Sequence, residues 1–174
     1  MKIFLNNFIY FSNRTMKTID NFLNDKEFQS LKNIITSPTF PWYFNDSKSE
    51  DKDKNFQFIH VFFWEDKILS PFWNYIAPIL DQLKAKKIIR VKANLSTKKD
   101  INLKSKMHID TSIENSITSV YYINTNNGFT LFENGKKSKS EENRITIFDS
   151  KIKHCGVDCT DNNIRVVINF NYLK

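Results

Sequence analysis

Two histidines and one aspartate in the second half of the chain have the types and spacing of a metal site. His108 and Asp110 are separated by a single residue, and His154 follows much later. Two imidazoles and one carboxylate can occupy one triangular face of a non-haem Fe(II) ion and leave the opposite positions open for substrate and oxygen. Because His-x-Asp is a short and common pattern, the prediction of a metal site depends on the residues that accompany it.

An arginine follows the second histidine, in the last apolar stretch of the chain. Ile164 to Tyr172 alternates with a period of two, which predicts a strand with two distinct faces. One face is apolar, and the other carries Arg165, Val167, Asn169 and Asn171. A guanidinium on such a face can bind a carboxylate through two parallel hydrogen bonds.

A second predicted strand has a similar polar face. Ser116 to Asn124 alternates with a period of two, so Thr118 and Tyr122 point the same way. If this face and the face of Arg165 look into one β-sandwich, together they form a pocket for a carboxylate.

Periodicity also predicts the elements that position these residues. One helix has Asn24 or Asp25 as its cap, and a second runs from Pro71 to Lys86, with Pro78 inside it or at its start. The predicted strands are Phe56 to Trp64, Ile88 to Leu95, Ser116 to Asn124, Gly128 to Phe132, Arg144 to Phe148, Ile152 to His154 and Ile164 to Tyr172. We predict an α+β domain with a jelly-roll core and the N-terminal helices packed on one sheet.

Length and composition indicate one globular unit. With 174 residues, 40% of them hydrophobic and 14% aromatic, the chain is long enough for a packed core. We interpret 1–174 as a single domain in which 1–16 is an irregular N-terminal extension. The polar run Asn45 to Asn55 has no apolar anchor, and we expect an exposed, mobile loop that closes over substrate.

Charge and the N-terminus limit the partners and the compartment. The net charge of +7 is compatible with nucleic acid, but the basic residues are scattered, so solubility is the favoured explanation. Polar residues interrupt the apolar start of the chain too soon for a signal peptide or a membrane span. We expect a cytoplasmic protein without a membrane partner.

The remaining cysteines and histidine have simpler explanations than metal binding. Cys155 and Cys159 lie near His154, but a structural zinc site needs four ligands and the chain has no further cysteine. Two cysteines are also fewer than a secreted disulfide scaffold normally carries. His60 stands among apolar residues and is interpreted as a hydrogen-bonded core histidine.

Four segments together resemble the Fe(II)/2-oxoglutarate-dependent oxygenases. They are His108-x-Asp110, Tyr121-Tyr122-Ile123-Asn124, His154-Cys155-Gly156 and Arg165-Val166-Val167-Ile168-Asn169-Phe170. The chain resembles in particular the prolyl-4-hydroxylase-like branch, including the small versions carried by bacteriophages and marine bacteria. The resemblance implies a double-stranded β-helix in which His108, Asp110 and His154 bind iron.

The resemblance also implies a cosubstrate site. Arg165 would bind the distal carboxylate of 2-oxoglutarate, with Tyr122, Thr118 and Asn169 as further contacts. The spacing departs from the family, because Arg165 lies eleven residues after His154, slightly more than is usual. Many relatives also have a tyrosine near Ser96; here Asn94, on the same strand face, is expected to take part instead.

The activity that the resemblance implies is hydroxylation with Fe(II), 2-oxoglutarate and O2. Succinate and carbon dioxide would be the co-products, and a prolyl residue in a peptide or protein is one candidate substrate. The alternative is a non-catalytic jelly-roll module that binds nucleic acid or carbohydrate, which the positive charge and the aromatic residues permit. That alternative leaves the triad and the arginine unexplained.

Overall fold

The computed structural model describes residues 16–48 and 55–174, and these residues form two helices and eleven strands. In chain order the elements are β1 (Lys17–Ile19), α1 (Asp25–Ile35), β2 (Tyr43–Asn45), β3 (Gln57–Trp64), β4 (Lys67–Ile68), α2 (Trp73–Leu83), β5 (Lys87–Thr97), β6 (Ile117–Tyr122), β7 (Phe129–Phe132), β8 (Lys137–Lys139), β9 (Arg144–Asp149), β10 (His154–Val157) and β11 (Ile164–Leu173). Residues 1–15 of the expected extension and 49–54 of the expected loop lie outside the described residues.

The described strands form two antiparallel sheets. The larger has eight strands in the order β1-β9-β6-β11-β5-β3-β2, with β4 paired to β3. The smaller has three strands in the order β10-β7-β8. This mainly-β architecture with two helices is consistent with the predicted jelly-roll core.

The longer predicted strands are confirmed, and the differences lie in the short ones. β10 begins at His154, where the predicted strand from Ile152 ends, because the amide of Ile152 closes a turn on the carbonyl of Asp149. The sequence does not predict β4 and β8, since two or three mostly polar residues carry no readable period.

Both predicted helices are present. The side chain of Asn24 caps α1 by accepting a hydrogen bond of 3.0 Å from the amide of Glu27. α2 begins at Trp73 rather than Pro71, and Pro78 lies in its interior. Neither of the described helices is long and apolar enough to cross a membrane.

The apolar face of β11 is buried in the main core. This core contains Phe28, Leu31 and Ile35 of α1, Ile76, Ile79, Leu80 and Leu83 of α2, Val91 and Ala93 of β5, and Val166, Ile168, Phe170 and Tyr172 of β11. The opposite face of β11 carries Arg165, Val167 and Asn169, which line a cavity. The predicted two-faced strand is confirmed, and it separates the core from the candidate site.

The described part of the predicted loop is anchored by polar contacts. Ser47 is buried, and Nζ of Lys48 lies 2.5 Å from Oδ1 of the buried Asp158. The expectation of an exposed segment is therefore wrong for Ser47 and Lys48, because a salt bridge can hold a loop that has no apolar anchor.

His60 is a buried and fully hydrogen-bonded histidine, as predicted. Its Nδ1 lies 2.8 Å from the carbonyl of Pro41, and its Nε2 lies 2.7 Å from Oγ of Ser70. A carbonyl can only accept, so Nδ1 carries the proton and Nε2 accepts from the serine hydroxyl. Burial lowers the pKa of His60, although the hydrogen bond to Pro41 acts in the opposite direction.

We expect this histidine to make the fold sensitive to acid. Its pKa in the folded protein lies below the ordinary value of 6.5, so the unfolded chain takes up a proton that the folded chain does not. The free energy of unfolding should therefore fall as the pH drops below 6.5. Urea unfolding at a series of pH values should show a steeper fall for wild type than for His60→Gln. Equal slopes would contradict this account.

Candidate metal and anion site

The three predicted metal ligands come together at one point. His108 and His154 form a β-bridge in which each amide donates to the carbonyl of the other, at 2.9 and 3.0 Å. Nε2 of His108 lies 3.8 Å from Oδ1 of Asp110, and Nε2 of His154 lies 3.7 Å from Oδ2. One ligand atom from each residue lies within 4.8 Å of the other two.

The two imidazoles are oriented for metal binding. Nδ1 of His108 lies 3.1 Å from the carbonyl of Lys106, and Nδ1 of His154 lies 2.9 Å from the carbonyl of Ile152. Each Nδ1 must therefore carry a proton, so in the neutral form of either ring the lone pair lies on Nε2, the atom that faces Asp110. Burial lowers the pKa of His154, with Asp110 opposing the shift, so the neutral, metal-binding form is favoured.

The carboxylate of Asp110 is held by a second set of polar side chains. Nη2 of Arg90 donates to its Oδ1 at 3.1 Å, and Nδ2 of Asn171 donates to its Oδ2 at 3.2 Å. Arg90 also donates from Nε to Oδ1 of Asn171 at 3.0 Å. Burial acts to raise the pKa of Asp110, but His154, Arg90 and His108 outweigh it and the pKa is lowered.

The donor set fits a divalent metal ion. Two imidazoles and one carboxylate on one side of a cavity are the donor types of a facial site for Fe(II). In the part of the chain that the structure describes, no other group of three His, Cys, Asp or Glu is placed to hold a metal. Cys155 and Cys159 are buried free thiols outside this group.

Arg165 lies in the wall of the same cavity, which has a volume of about 680 Å³. Its Nε donates to Oγ of Ser140 at 2.9 Å, and its Nη2 lies 3.4 Å from Oγ1 of Thr130. Among the described residues it forms no ion pair with a carboxylate. Burial lowers the pKa of Arg165, while Tyr122 and Asp158 act against the shift. A buried guanidinium with unused donors is placed to receive an anion.

Gly128 gives Arg165 the space for this position. A Cβ at residue 128 would lie 2.7 Å from Cδ of Arg165 and 2.8 Å from the carbonyl oxygen of Val157. At Gly156 a Cβ would stand 3.7 Å from Nη1 of Arg165, which is an ordinary contact. Gly128 is therefore a site residue that the sequence pattern does not reveal.

The other predicted cosubstrate residues divide into two groups. Asn94 and Asn169 line the cavity, whereas Tyr122 and Thr118 do not. The ring of Tyr122 lies 5.8 Å from the guanidinium carbon of Arg165, and its hydroxyl donates to Thr130. Thr118 donates to Ser150 and accepts from Asn171. Tyr122 and Thr118 thus stand behind Arg165 and Asn171, and their direct contact with a cosubstrate stays a prediction.

Several further polar residues of the cavity wall are not predicted as site residues, among them Arg90, Lys92, Lys48 and Asp158. Arg90 and Lys92 share a strand face with Asn94, so the period of two in the predicted strand could have identified them as cavity residues. Lys48 and Asp158 meet from distant segments, and no local pattern predicts that.

Comparison with known proteins establishes the fold. No family model matches the sequence, and no curated protein matches it. A 2OG-Fe(II) oxygenase family oxidoreductase from Burkholderia pseudomallei is similar at a TM-score of 0.70 and 12% identity, over 92% of this chain and 85% of that chain. A Pseudomonas putida prolyl-4-hydroxylase is similar at a TM-score of 0.64 and 11% identity, over 92% of this chain and 94% of that chain. A viral collagen prolyl hydroxylase from Paramecium bursaria Chlorella virus-1, in complex with 2OG, is similar at a TM-score of 0.55 and 16% identity. The match covers 91% of this chain and 96% of that chain.

These identities are low, so the likeness shows a shared fold. The chain has the fold of the 2OG-Fe(II) oxygenases, which confirms the fold that the motifs imply. What the chain does must be inferred from its own side chains.

We expect His108→Ala, Asp110→Ala and His154→Ala each to abolish tight binding of Fe(II) while the fold is retained. The loss of Fe(II) affinity should exceed the roughly 10- to 100-fold loss that is typical when a residue hydrogen-bonded to a metal ligand is mutated. Anaerobic calorimetry with Fe(II) measures the affinity, and circular dichroism checks the fold. Ile109→Ala is the matched control, because Ile109 lies between two ligands and offers no ligand atom. Wild-type affinity in any of the three variants would remove that residue from the triad.

Proposed function

We propose that the chain is an Fe(II)- and 2-oxoglutarate-dependent dioxygenase that hydroxylates a substrate and releases succinate and carbon dioxide. The observation that carries the proposal is the combination, at one cavity, of the His108, Asp110 and His154 triad with a buried Arg165 that has no carboxylate partner among the described residues. A metal site alone is common to many proteins, and the buried cation adds the requirement for an anion beside it.

Each residue of the triad has a defined task in this proposal. His108 and His154 hold the metal through Nε2, and Asp110 supplies the third ligand and one negative charge. When bound, Fe(II) with 2-oxoglutarate supplies the oxygen-activating chemistry that hydroxylates a C–H bond. Arg90 and Asn171 keep the carboxylate of Asp110 in place, since both donate hydrogen bonds to it.

Arg165 positions the cosubstrate. Ser140 and Thr130 engage Nε and one Nη2 hydrogen, so Nη1 and the second Nη2 hydrogen remain for the distal carboxylate of 2-oxoglutarate. Tyr122 lies behind the guanidinium and helps to keep it in the wall. Because Arg165 is almost inaccessible to solvent, its charge is weakly screened and its attraction for a carboxylate is strong.

A prolyl residue in a peptide or protein is the finer proposal for the substrate. Two of the similar structures are a prolyl-4-hydroxylase and a collagen prolyl hydroxylase. In this chain the exposed rings of Tyr43 and Phe44 directly precede Asn45 and Asp46, which line the cavity. Exposed aromatic side chains beside a cavity suit contact with the apolar parts of a peptide.

The deciding experiment is succinate release from 2-oxoglutarate by protein loaded anaerobically with Fe(II) and then exposed to oxygen. The reaction is run against separate pools of peptides, nucleic acids and metabolites, with His154→Ala as the matched control. We expect one pool to stimulate succinate release by wild type only. If wild type never exceeds His154→Ala, the non-catalytic binding module is the better explanation.

We expect Arg165→Met to weaken 2-oxoglutarate binding by about 1 to 3 kcal/mol, or roughly 5- to 150-fold, because it removes a charged hydrogen-bond donor. Arg165→Lys should recover only part of the loss, since an ammonium cannot reproduce the planar fork. The measurement is a 2-oxoglutarate titration of the anaerobic Fe(II) protein, followed by its visible absorption band. Fe(II) affinity serves as the control and should change little. Wild-type 2-oxoglutarate affinity in Arg165→Met would place the anion elsewhere.

We expect Gly128→Ala to impair the proposed anion site at Arg165, although the substitution changes no atom that would bind the metal or the anion. The new methyl group would overlap Cδ of Arg165 and the backbone of Val157, so the guanidinium must shift. The variant should lose at least about tenfold in 2-oxoglutarate affinity and about 1 to 3 kcal/mol of stability. Gly156→Ala is the matched control and should be less destabilising, because its methyl group meets no close contact. Equal stability of the two variants would contradict the steric account.

A further inference from the structure

A buried ion pair lines the same cavity as Arg165. Nζ of Lys48 lies 2.5 Å from Oδ1 of Asp158, and the two side chains are only 8% and 2% exposed. Lys48, from the segment after β2, and Asp158, from the segment after β10, both contribute to the cavity wall. Because buried charges are weakly screened, the partner that each of these groups takes affects the others.

The carboxylate of Asp158 acts on two cations. Burial lowers the pKa of Arg165 and the pKa of Lys48, and the negative charge of Asp158 opposes both shifts. Among the described residues, however, Asp158 forms an ion pair with Lys48 and none with Arg165. Arg165 donates instead to the hydroxyls of Ser140 and Thr130. The protein thus contains an anion of its own near the candidate anion site, and that anion is paired with a different cation.

Asp158 could reach a second cation by turning its side chain alone. Its amide donates to the carbonyl of Leu103 at 3.0 Å, and its carbonyl accepts from Nδ2 of Asn102 at 2.8 Å, so the backbone is fixed. Its Oδ2 is buried and has no hydrogen-bond partner among the described residues. A buried carboxylate without a cation is costly, so loss of Lys48 should turn this carboxylate toward Arg165.

We propose that Lys48 is a positioning residue for the cosubstrate: by pairing with Asp158, it keeps that carboxylate from occupying Arg165. A carboxylate of Asp158 on the guanidinium would take the donors that the distal carboxylate of 2-oxoglutarate needs. Lys48 therefore acts on the cosubstrate through Asp158 and Arg165, without a contact of its own. The inference rests on the proposed function, because it takes 2-oxoglutarate as the anion that Arg165 binds.

A purely structural role of the ion pair predicts a different pattern of effects. If the pair only fixed the segment after β2, loss of either partner would have the same consequence. In the positioning role the two losses differ, because Lys48→Met releases a competing carboxylate and Asp158→Asn removes it. The double variant lacks both the ion pair and the competitor, so it separates the two roles.

The first experiment is a 2-oxoglutarate titration of the anaerobic Fe(II) protein, followed by its visible absorption band. We expect Lys48→Met to bind at least about tenfold more weakly than wild type, whereas Asp158→Asn and the double variant should stay within about threefold of wild type. Lys48→Arg keeps the positive charge and should recover most of the affinity. Lys98→Met controls for the loss of one positive charge, because Lys98 is exposed and lies outside the cavity.

Three outcomes of this titration would overturn the proposal. They are wild-type affinity in Lys48→Met, a double variant as weak as Lys48→Met, and an Asp158→Asn variant as weak as Lys48→Met. Fe(II) affinity and circular dichroism should be unchanged in every variant, since the triad and the helices are not altered.

The second experiment compares crystal structures of wild type and Lys48→Met without 2-oxoglutarate. In the variant, a carboxylate oxygen of Asp158 should lie within about 4 Å of a guanidinium nitrogen of Arg165, the usual limit for an ion pair. An Asp158 side chain that keeps its wild-type position, or turns to solvent, would refute the positioning role. Failure of wild type to bind 2-oxoglutarate would defeat the proposed function, and the crystal structures would still decide whether Lys48 keeps Asp158 from Arg165.

Discussion

The pleat of β11 decides where the candidate site can lie. Adjacent side chains of a strand point to opposite faces, so Val166 and Ile168 enter the core with the helices while Arg165 and Asn169 face the cavity. A slip of one residue would place the guanidinium among the apolar side chains of the helices. Pairing with β5 on one side and β6 on the other holds the register that prevents this.

The two ends of the cavity are held by different kinds of contact, and the difference follows the charges. Asp110 is an anion and has Arg90 as a cationic partner, with the amide of Asn171 beside it. Arg165 is a cation, yet its near contacts are the hydroxyls of Ser140 and Thr130 and an aromatic ring. Neutral partners orient the guanidinium without forming an ion pair with it, so its remaining donors are available to an anion.

Between these ends, the wall contains a further cation, Lys92, on the same strand face as Arg90 and Asn94. Lys92 stands one cross-strand pair from Arg90 and two from the pair that contains Arg165. The three solved structures compared above are only 11% to 16% identical to this chain, so their fold does not determine what this lysine binds. Selectivity for the primary substrate is a property of this chain's own side chains.

The two faces of β11 could be predicted from the sequence, because they depend on a period of two along one strand. The candidate ligands His108, Asp110 and His154 and the candidate anion-binding Arg165 could be proposed from residue type and order, and the structure places the three ligands within 4.8 Å of one another. The predictions of the cap at Asn24 and of the longer strands also depend on short stretches of sequence, and they agree with the structure. The positions of Tyr122 and Thr118 behind the wall, the clearance at Gly128 and the Lys48–Asp158 salt bridge were not readable. Each depends on how segments far apart in the chain approach one another. Distances between packed atoms of such segments cannot be predicted from the order of residues along the chain.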